Sequence, residues 1–154
     1  MTNKKQIRIL CYGDSNTWGY DPETDDRYDE TVRWTGVLSS LLGDGYIVLE
    51  EGLNGRTIDL DYEDRIGRNG YAYLVPCLDS HYPLDYVVLY LGTNDMKAIF
   101  QRSVENIAAG IETLVHVILG KNLEDASPNV KIILVAPTQV CDVGPNVEKW
   151  KGAS

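Results

Sequence analysis

Four short apolar runs, separated by segments of helical character, constrain the fold of this chain more than any other feature. Each run is rich in β-branched or aromatic residues and is nearly continuous in its apolar character; the runs cover residues 7–12, 46–50, 86–91 and 130–136. Continuous apolar strands are typical of a parallel sheet covered on both faces, because neither face of such a strand meets water. The runs therefore predict four buried parallel strands.

The segments between these runs carry the periodicity of helices. Apolar residues recur at helical spacing over residues 34–42 and, most clearly, over 103–119, with a shorter candidate at 69–78. Ser103 is placed to cap the long helix, and Gly43 and Gly120 are placed to end the helices before them. Alternation of strands and helices predicts an α/β fold with a parallel sheet.

Size and charge exclude several classes of protein. The chain has 154 residues, which predicts one domain over 1–154, and its 14 basic and 23 acidic residues give a net charge of −9. Nucleic acids and anionic membranes bind basic surfaces, so neither is expected as a partner. No apolar run approaches the roughly 18–20 residues of a membrane span, and no signal peptide is recognised at the start. We therefore expect a cytoplasmic protein.

The cysteines and one acidic segment lead to two further predictions. Three widely spaced cysteines, Cys11, Cys77 and Cys141, form no zinc or redox motif and favour a reducing compartment. Residues 21–33 are polar and acidic. They predict a solvated loop, with a lid over a neighbouring site as the alternative.

Polar loops, most of them containing glycine, follow the predicted strands. They cover residues 13–19, 52–57, 92–95 and 137–139, and three of the four combine glycine with small polar residues. Ligands of open parallel sheets bind outside the carboxyl ends of the strands, so these loops should share one site.

The residues in these loops suggest acyl transfer. Ser15 lies at a sharp strand-to-helix turn, where its hydroxyl is exposed and its own backbone N–H can face a ligand. Gly55 has no side chain to keep a ligand from its N–H, and Asn94 offers a neutral amide donor. A serine nucleophile with three convergent donors is the equipment of acyl transfer, although each loop taken alone is also an ordinary turn.

The same loops resemble the sequence blocks of the SGNH (GDSL-type) hydrolases, and most of all the bacterial arylesterase/acyltransferase branch. The three family blocks are similar to residues 13–19, 52–57 and 92–95, and further branch-typical positions match 33–36 and 95–97. The resemblance implies Ser15 as nucleophile and an oxyanion hole formed by Ser15, Gly55 and Asn94. It also implies a flavodoxin-like three-layer α/β/α sandwich, which we expect in strand order 2-1-3-4, and no metal or organic cofactor.

One family block has no counterpart in the chain. The resemblance implies an Asp-x-x-His block that supplies the general base, and this motif does not occur. The two histidines, His81 and His116, are expected to be structural or surface residues. A final strand-and-helix unit is also expected by the resemblance and is not found, so the domain is expected to be incomplete at its C-terminus. Ser15 without a base is a weak nucleophile at neutral pH.

Other residues near the predicted site receive supporting roles. Asp14 and Asp95 are expected to form turns, and Arg56 is expected to make a structural salt bridge with one of them. Asn54 and Trp18, together with Trp34, are candidates for the substrate pocket, although ordinary packing explains the tryptophans equally well.

The sequence thus predicts a serine esterase or acyltransferase for small acyl esters, without its base in this chain. A catalytically inactive ligand-binding module of the same fold is the first alternative. A flavin- or nucleotide-binding domain is the second, although neither Gly-x-Gly-x-x-Gly nor Gly-Lys-Ser/Thr occurs. The branch resemblance and an exposed sheet edge both imply a homo-oligomer.

Overall fold

A computed structural model describes residues 5–124, 130–138 and 148 of the chain. The strands in this part are β1 (Ile7–Gly13), β2 (Tyr20–Asp21), β3 (Asp26–Arg27), β4 (Tyr46–Gly52), β5 (Tyr86–Tyr90) and β6 (Lys131–Leu134). The helices are α1 (Ser15–Trp18), α2 (Trp34–Leu42), α3 (Gly70–His81) and α4 (Val104–Glu124), with short 3₁₀ turns at Gly43–Gly45 and Ala98–Phe100. Cys141 and the end of the fourth predicted loop at Gln139 lie outside the described residues.

The four long strands form one parallel sheet in the order β4-β1-β5-β6. In the numbering of the four predicted runs this is 2-1-3-4, so the predicted strand order is confirmed. Gly13 of β1 is in register with Gly52 of β4 on one side and with Tyr90 of β5 on the other. The carboxyl ends of three strands therefore meet at one edge, where the candidate site lies.

Helices cover both faces of this sheet, as the sandwich prediction requires. Residues alternate in direction along a strand. On β1, Leu10 and Tyr12 pack into a core shared with α3 and α4, whereas Ile9 and Cys11 pack with residues of α2. The fold is therefore the predicted three-layer α/β/α sandwich.

The helices mostly lie where periodicity predicts them, but two of them run past their predicted ends. Helix α3 ends at His81 and not at residue 78. Asn69 caps α3 by accepting a hydrogen bond from the Ala72 N–H, and Ser103 Oγ accepts one from the Asn106 N–H at the start of α4. Gly120 was predicted to end α4, but the helix continues to Glu124. One helical glycine costs only about 1 kcal/mol, which a long packed helix tolerates. Among the described helices, none has the length and apolar character needed to cross a bilayer.

The acidic segment at 21–33 contains a small hairpin and is not simply a solvated loop. Strands β2 and β3 pair antiparallel, and the Tyr28 N–H donates to the Gly19 carbonyl at 2.7 Å. Arg27 and Arg33 both reach the Glu50 carboxylate on β4, at 2.9 and 2.8 Å. These ion pairs fasten the hairpin to the body of the domain, which a composition-based prediction does not anticipate.

Candidate active site

The nucleophile candidate lies at the junction of β1 and α1. Asp14 caps the helix: its carboxylate accepts a hydrogen bond from the Asn16 N–H at 2.9 Å. Ser15 is thus the first residue of α1 and is half-buried, next to exposed Asn16. The first N–H groups of a helix have no acceptor within it, so the Ser15 N–H is free to point at a ligand. Burial raises the pKa of Asp14, while the Asn16 N–H and the Lys97 ammonium act against that rise.

Gly55 adopts a backbone conformation that favours glycine. Its φ of +84° lies in the left-handed region, and a Cβ built there would stand 2.6 Å from Nη1 of Arg65. The same guanidinium donates to the Asn54 carbonyl at 3.1 Å. Any side chain at position 55 would therefore be strained and would displace the Arg65 side chain.

Asn94 connects the third loop to the second. Its side chain is buried, and Nδ2 donates a hydrogen bond of 3.0 Å to the Arg56 carbonyl, one residue after Gly55. A primary amide nitrogen carries two hydrogens. One of them holds the two loops together, and the other remains to be offered to a developing negative charge.

Asp95 strengthens the same connection. Its fully buried carboxylate accepts from the Ile58 N–H, at 3.0 and 3.2 Å, and from Arg102 at 3.0 Å. Arg102 also forms an ion pair with Asp59. Burial raises the pKa of Asp95 to about 6, while the Ile58 N–H and Arg102 act against that rise. Asp95 therefore does more than form a turn, because it fixes Asn94's loop to the chain that follows Gly55.

Arg56 does not make the salt bridge that the sequence suggested. Its guanidinium donates to the backbone carbonyls of Gly13, at 3.1 Å, and Glu51. It lies 4.3 Å from the ring centroid of Tyr12 and 5.3 Å from that of Tyr73. The prediction of a bond to Asp14 or Asp95 is wrong because Arg102 binds Asp95 and Lys97 is the cation that acts on Asp14.

Tyr62, Arg65 and Lys97 form a cluster that no sequence pattern predicted. Lys97 Nζ donates to the Tyr62 hydroxyl at 3.0 Å, and the Arg65 guanidinium lies 5.5 Å from the Tyr62 ring centroid. Burial raises the pKa of Tyr62 to about 12. Because Arg65 also donates to the Asn54 carbonyl, next to Gly55, this cluster places cationic groups beside the second loop. Residues 61–68 carry neither strand nor helix periodicity, so no sequence signal indicated it.

The pocket candidates are separated by the structure. Trp34 lines a cavity of about 390 Å³ together with Asn16, Tyr90 and Val135, directly beside the nucleophile's helix. Trp18 instead contacts Arg27, whose guanidinium carbon lies 5.4 Å from the Trp18 ring centroid. Asn54 keeps a buried Oδ1 without a hydrogen-bond partner among the described residues. Trp34 is therefore the better placed tryptophan for a substrate wall.

Neither histidine is brought to Ser15. His81 Nε2 lies 2.6 Å from Glu51 Oε1, and His116 is exposed on α4. The contacts recorded for the described residues join neither histidine to Ser15. The arrangement thus offers a serine and neutral hydrogen-bond donors for an oxyanion. Neither histidine of this chain is placed to act as a base for the serine.

Comparison with known proteins identifies the family of the chain. The model of the GDSL-like Lipase/Acylhydrolase family matches residues 11–153, and the chain belongs to that family. Membership places it among the carboxylic ester hydrolases.

Solved structures of esterases resemble the chain closely. Est24, a carbohydrate acetylesterase from Sinorhizobium meliloti, is 38% identical with a TM-score of 0.88; the match covers 96% of this chain and 73% of Est24. The inhibitor-bound M. smegmatis aryl esterase is 37% identical with a TM-score of 0.84, over 96% of this chain and 72% of the esterase. No curated protein sequence matches significantly.

Proposed function

We propose that the chain is a serine esterase that takes the acyl group of a small acyl ester onto Ser15. The observation that carries this proposal is the hydrogen bond from Asn94 Nδ2 to the Arg56 carbonyl, at 3.0 Å. This bond holds the Asn94 amide, in the loop after β5, close to Gly55 in the loop after β4. Strand β1, which ends just before Ser15, is in register with both of these strands. Nucleophile and donors thereby face one edge of the sheet.

The reaction follows from this placement. Ser15 Oγ attacks the ester carbonyl carbon, and the carbonyl π pair moves to oxygen. The resulting oxyanion is held by the N–H groups of Ser15 and Gly55 and by the Asn94 amide; such donors are most effective where they are fixed in advance. Collapse breaks the bond to the alcohol, which leaves with a proton. Water then releases the acid from acyl-Ser15, or a second alcohol accepts the acyl group.

The proton on Ser15 Oγ needs an acceptor that this chain's histidines do not supply. Relatives with an Asp-x-x-His block use its histidine, and the 154 residues contain no such block. Loss of one member of such a triad lowers turnover by several orders of magnitude, with residual catalysis from the oxyanion hole. We therefore propose that this chain alone turns esters over slowly.

The proposed substrate is an ester with a short acyl group. The similar solved proteins are, by their names, a carbohydrate acetylesterase and an aryl esterase, and the acetyl group named in the first is a short acyl group. A polyanionic substrate is not proposed, because the net charge of −9 would repel it.

Further proposals concern the whole protein. We propose that the chain forms one domain, that the protein is cytoplasmic, and that it associates into a homo-oligomer. In support, the four long described strands form one sheet. Ile133 and Leu134 on edge strand β6 are about half exposed, at 48% and 56%, and apolar residues on an edge strand favour association.

The experiment is covalent labelling of Ser15 with a fluorophosphonate, in buffer with added imidazole as the base. We expect one label, placed on Ser15 by peptide mass spectrometry. Ser15→Ala should abolish it, and Ser39→Ala on α2 should leave it unchanged. A label elsewhere, or equal labelling of Ser15→Ala, would overturn the assignment.

A second variant tests the oxyanion hole itself. Asn94→Ala should slow labelling of Ser15 by about 100-fold, the effect of removing one such donor. The exposed Asn106→Ala on α4 is the matched control and should keep the full rate. Equal rates for the two variants would remove Asn94 from the proposed hole.

A further inference from the structure

We propose that Glu51, Cys77 and His81 form a metal site that binds a zinc-like divalent ion between edge strand β4 and helix α3. This site uses none of the residues assigned to acyl transfer, so it extends beyond the proposed function.

The geometry brings three different ligands together from two elements. Cys77 and His81 are four residues apart on α3, so their side chains share one face of the helix. Glu51 reaches the same place from the end of β4. One ligand atom from each of the three residues lies within 4.8 Å of the other two, and His81 Nε2 is 2.6 Å from Glu51 Oε1.

These separations are close to those of a bound ion. Zinc bonds of about 2.0–2.3 Å in tetrahedral geometry hold neighbouring ligand atoms roughly 3.3–3.8 Å apart. His81 Nε2 and Glu51 Oε1 would have to separate by about 1 Å, and Cys77 Sγ would move inward by up to about 1.5 Å. Small side-chain rotations supply both movements, and the backbone of α3 and β4 stays in place.

The chemistry of the donors selects the ion. A thiolate and an imidazole favour zinc and similar transition ions over Mg²⁺ and Ca²⁺, which prefer sets of oxygen ligands. Three protein ligands leave one tetrahedral position for water.

The surroundings permit entry. Cys77 is fully buried, whereas the side chains of His81 and Glu51 are 25% and 20% exposed. A cavity of about 570 Å³, lined in part by Glu51 and Tyr73, adjoins the cluster. An ion therefore reaches the thiol past the two partly exposed ligands.

The neighbouring charges set the affinity. The Arg56 guanidinium acts on Cys77 and opposes a cation, and the phenols of Tyr12 and Tyr73 stack against that guanidinium. The Glu51 carboxylate and a Cys77 thiolate together carry two negative charges, which exceed the single positive charge of Arg56.

Binding releases a proton. A cysteine thiol is ordinarily protonated at neutral pH, and it must lose its proton to bind a metal ion. The ion forms its bond to sulfur as the S–H bond breaks, and the proton passes to water. Nothing is oxidised or reduced, and affinity should increase as pH rises.

The test titrates the full chain, first freed of metal with a chelator, with Co²⁺ as a spectroscopic probe. We expect saturation at one equivalent, with thiolate-to-cobalt charge-transfer absorption and the visible bands of tetrahedral Co²⁺. Zn²⁺ should displace the cobalt and bleach both signals. Absence of a saturable signal at one equivalent would overturn the proposal.

Variants separate this site from other thiols and histidines. Cys77→Ser should abolish the charge-transfer band, and His81→Gln and Glu51→Gln should each weaken Co²⁺ binding at least tenfold. Cys11→Ser, Cys141→Ser and His116→Gln are matched controls and should bind as the parent chain does. A band that survives Cys77→Ser, or that is lost in a control, would contradict the assignment.

Thermal unfolding gives a readout if Cys77→Ser fails to fold. Zn²⁺ at about 100 times its Kd should raise the Tm of the parent chain by roughly 5–10 °C. The His81→Gln variant, at a partly exposed position, should show no such rise, whereas His116→Gln should. An equal rise in both histidine variants would identify a bound ion elsewhere and would sink the proposal.

Discussion

At the scale of single residues, the proposed oxyanion donors are held by their neighbours and not by their own segments. Asn94 is fixed by the Arg56 carbonyl, and the adjacent Asp95 accepts the Ile58 N–H and the Arg102 guanidinium. Asp95 is fully buried, so its charge is costly even with these partners. It is a positioning residue, because it acts on the site through the backbone it holds.

The raised pKa of Asp95 predicts a pH dependence of stability. Burial raises this pKa from 3.8 to about 6. Between those values the folded carboxyl keeps a proton that the unfolded one has lost, so its contribution to stability is complete below 3.8 and declines as pH rises through 6. From pH 4 to pH 7, the free energy of unfolding of the parent chain minus that of Asp95→Asn should fall by about 2 kcal/mol.

Urea unfolding of both proteins across this pH range measures that difference. Subtraction removes the titration of the exposed acids, which both proteins share. A difference that stays flat, or that grows as pH rises, would show that Asp95 is charged in the folded protein throughout.

At the scale of elements, α1 is too short to be stable on its own and depends on its packing against β4. Helices this short are not formed by propensity alone. A Cβ at Gly52 would overlap the Trp18 backbone nitrogen and would stand 2.6 Å from the Thr17 carbonyl carbon. The glycine thus allows the helix that carries Ser15 to rest directly on the end of the neighbouring strand.

Gly52→Ala should therefore damage both stability and the site. We expect the free energy of unfolding to fall by about 1–3 kcal/mol, the usual cost of overpacking, and Ser15 labelling to slow because α1 must shift. Gly45→Ala is the control, since nothing lies within 4 Å of a Cβ there. Urea unfolding and labelling rates measure both effects. A Gly52→Ala protein that matches Gly45→Ala in both would show that α1 does not depend on this contact.

Elements with strong local patterns were predictable, and those formed by distant contacts were not. The four long strands and α2 follow from apolar runs and periodicity alone. The expected burial is found for β1 and β5 but is wrong for edge strand β6, which is mostly exposed. The hairpin of β2 and β3 was missed because Arg27 and Arg33 bind Glu50, which lies in another segment. The end of α4 was misplaced because tertiary packing outweighs the low helix propensity of Gly120.

At the scale of the whole molecule, the sheet brings together residues that the sequence keeps far apart. The three loops of the site could be predicted, because parallel strands place their carboxyl ends at one edge. The partners of Arg56, the cluster of Tyr62, Arg65 and Lys97, and the meeting of Glu51 with Cys77 could not. Each of these depends on which side chains of distant segments share a face, and no local pattern encodes that.

We propose that Ser15 and its oxyanion donors are assembled in this chain, and that neither of its histidines acts as the base. The most direct measurement is the initial rate of p-nitrophenyl acetate hydrolysis against imidazole concentration, for the parent chain minus Ser15→Ala. The subtraction removes the hydrolysis that imidazole performs by itself. We predict a rate near zero without imidazole and a saturating, Ser15-dependent increase with it.

Two results would contradict the account. A Ser15-dependent rate without imidazole that equals that of a complete family member would show that the chain has its own base. No Ser15-dependent rate at any imidazole concentration would show a ligand-binding module of the same fold, with a serine that does not act as nucleophile.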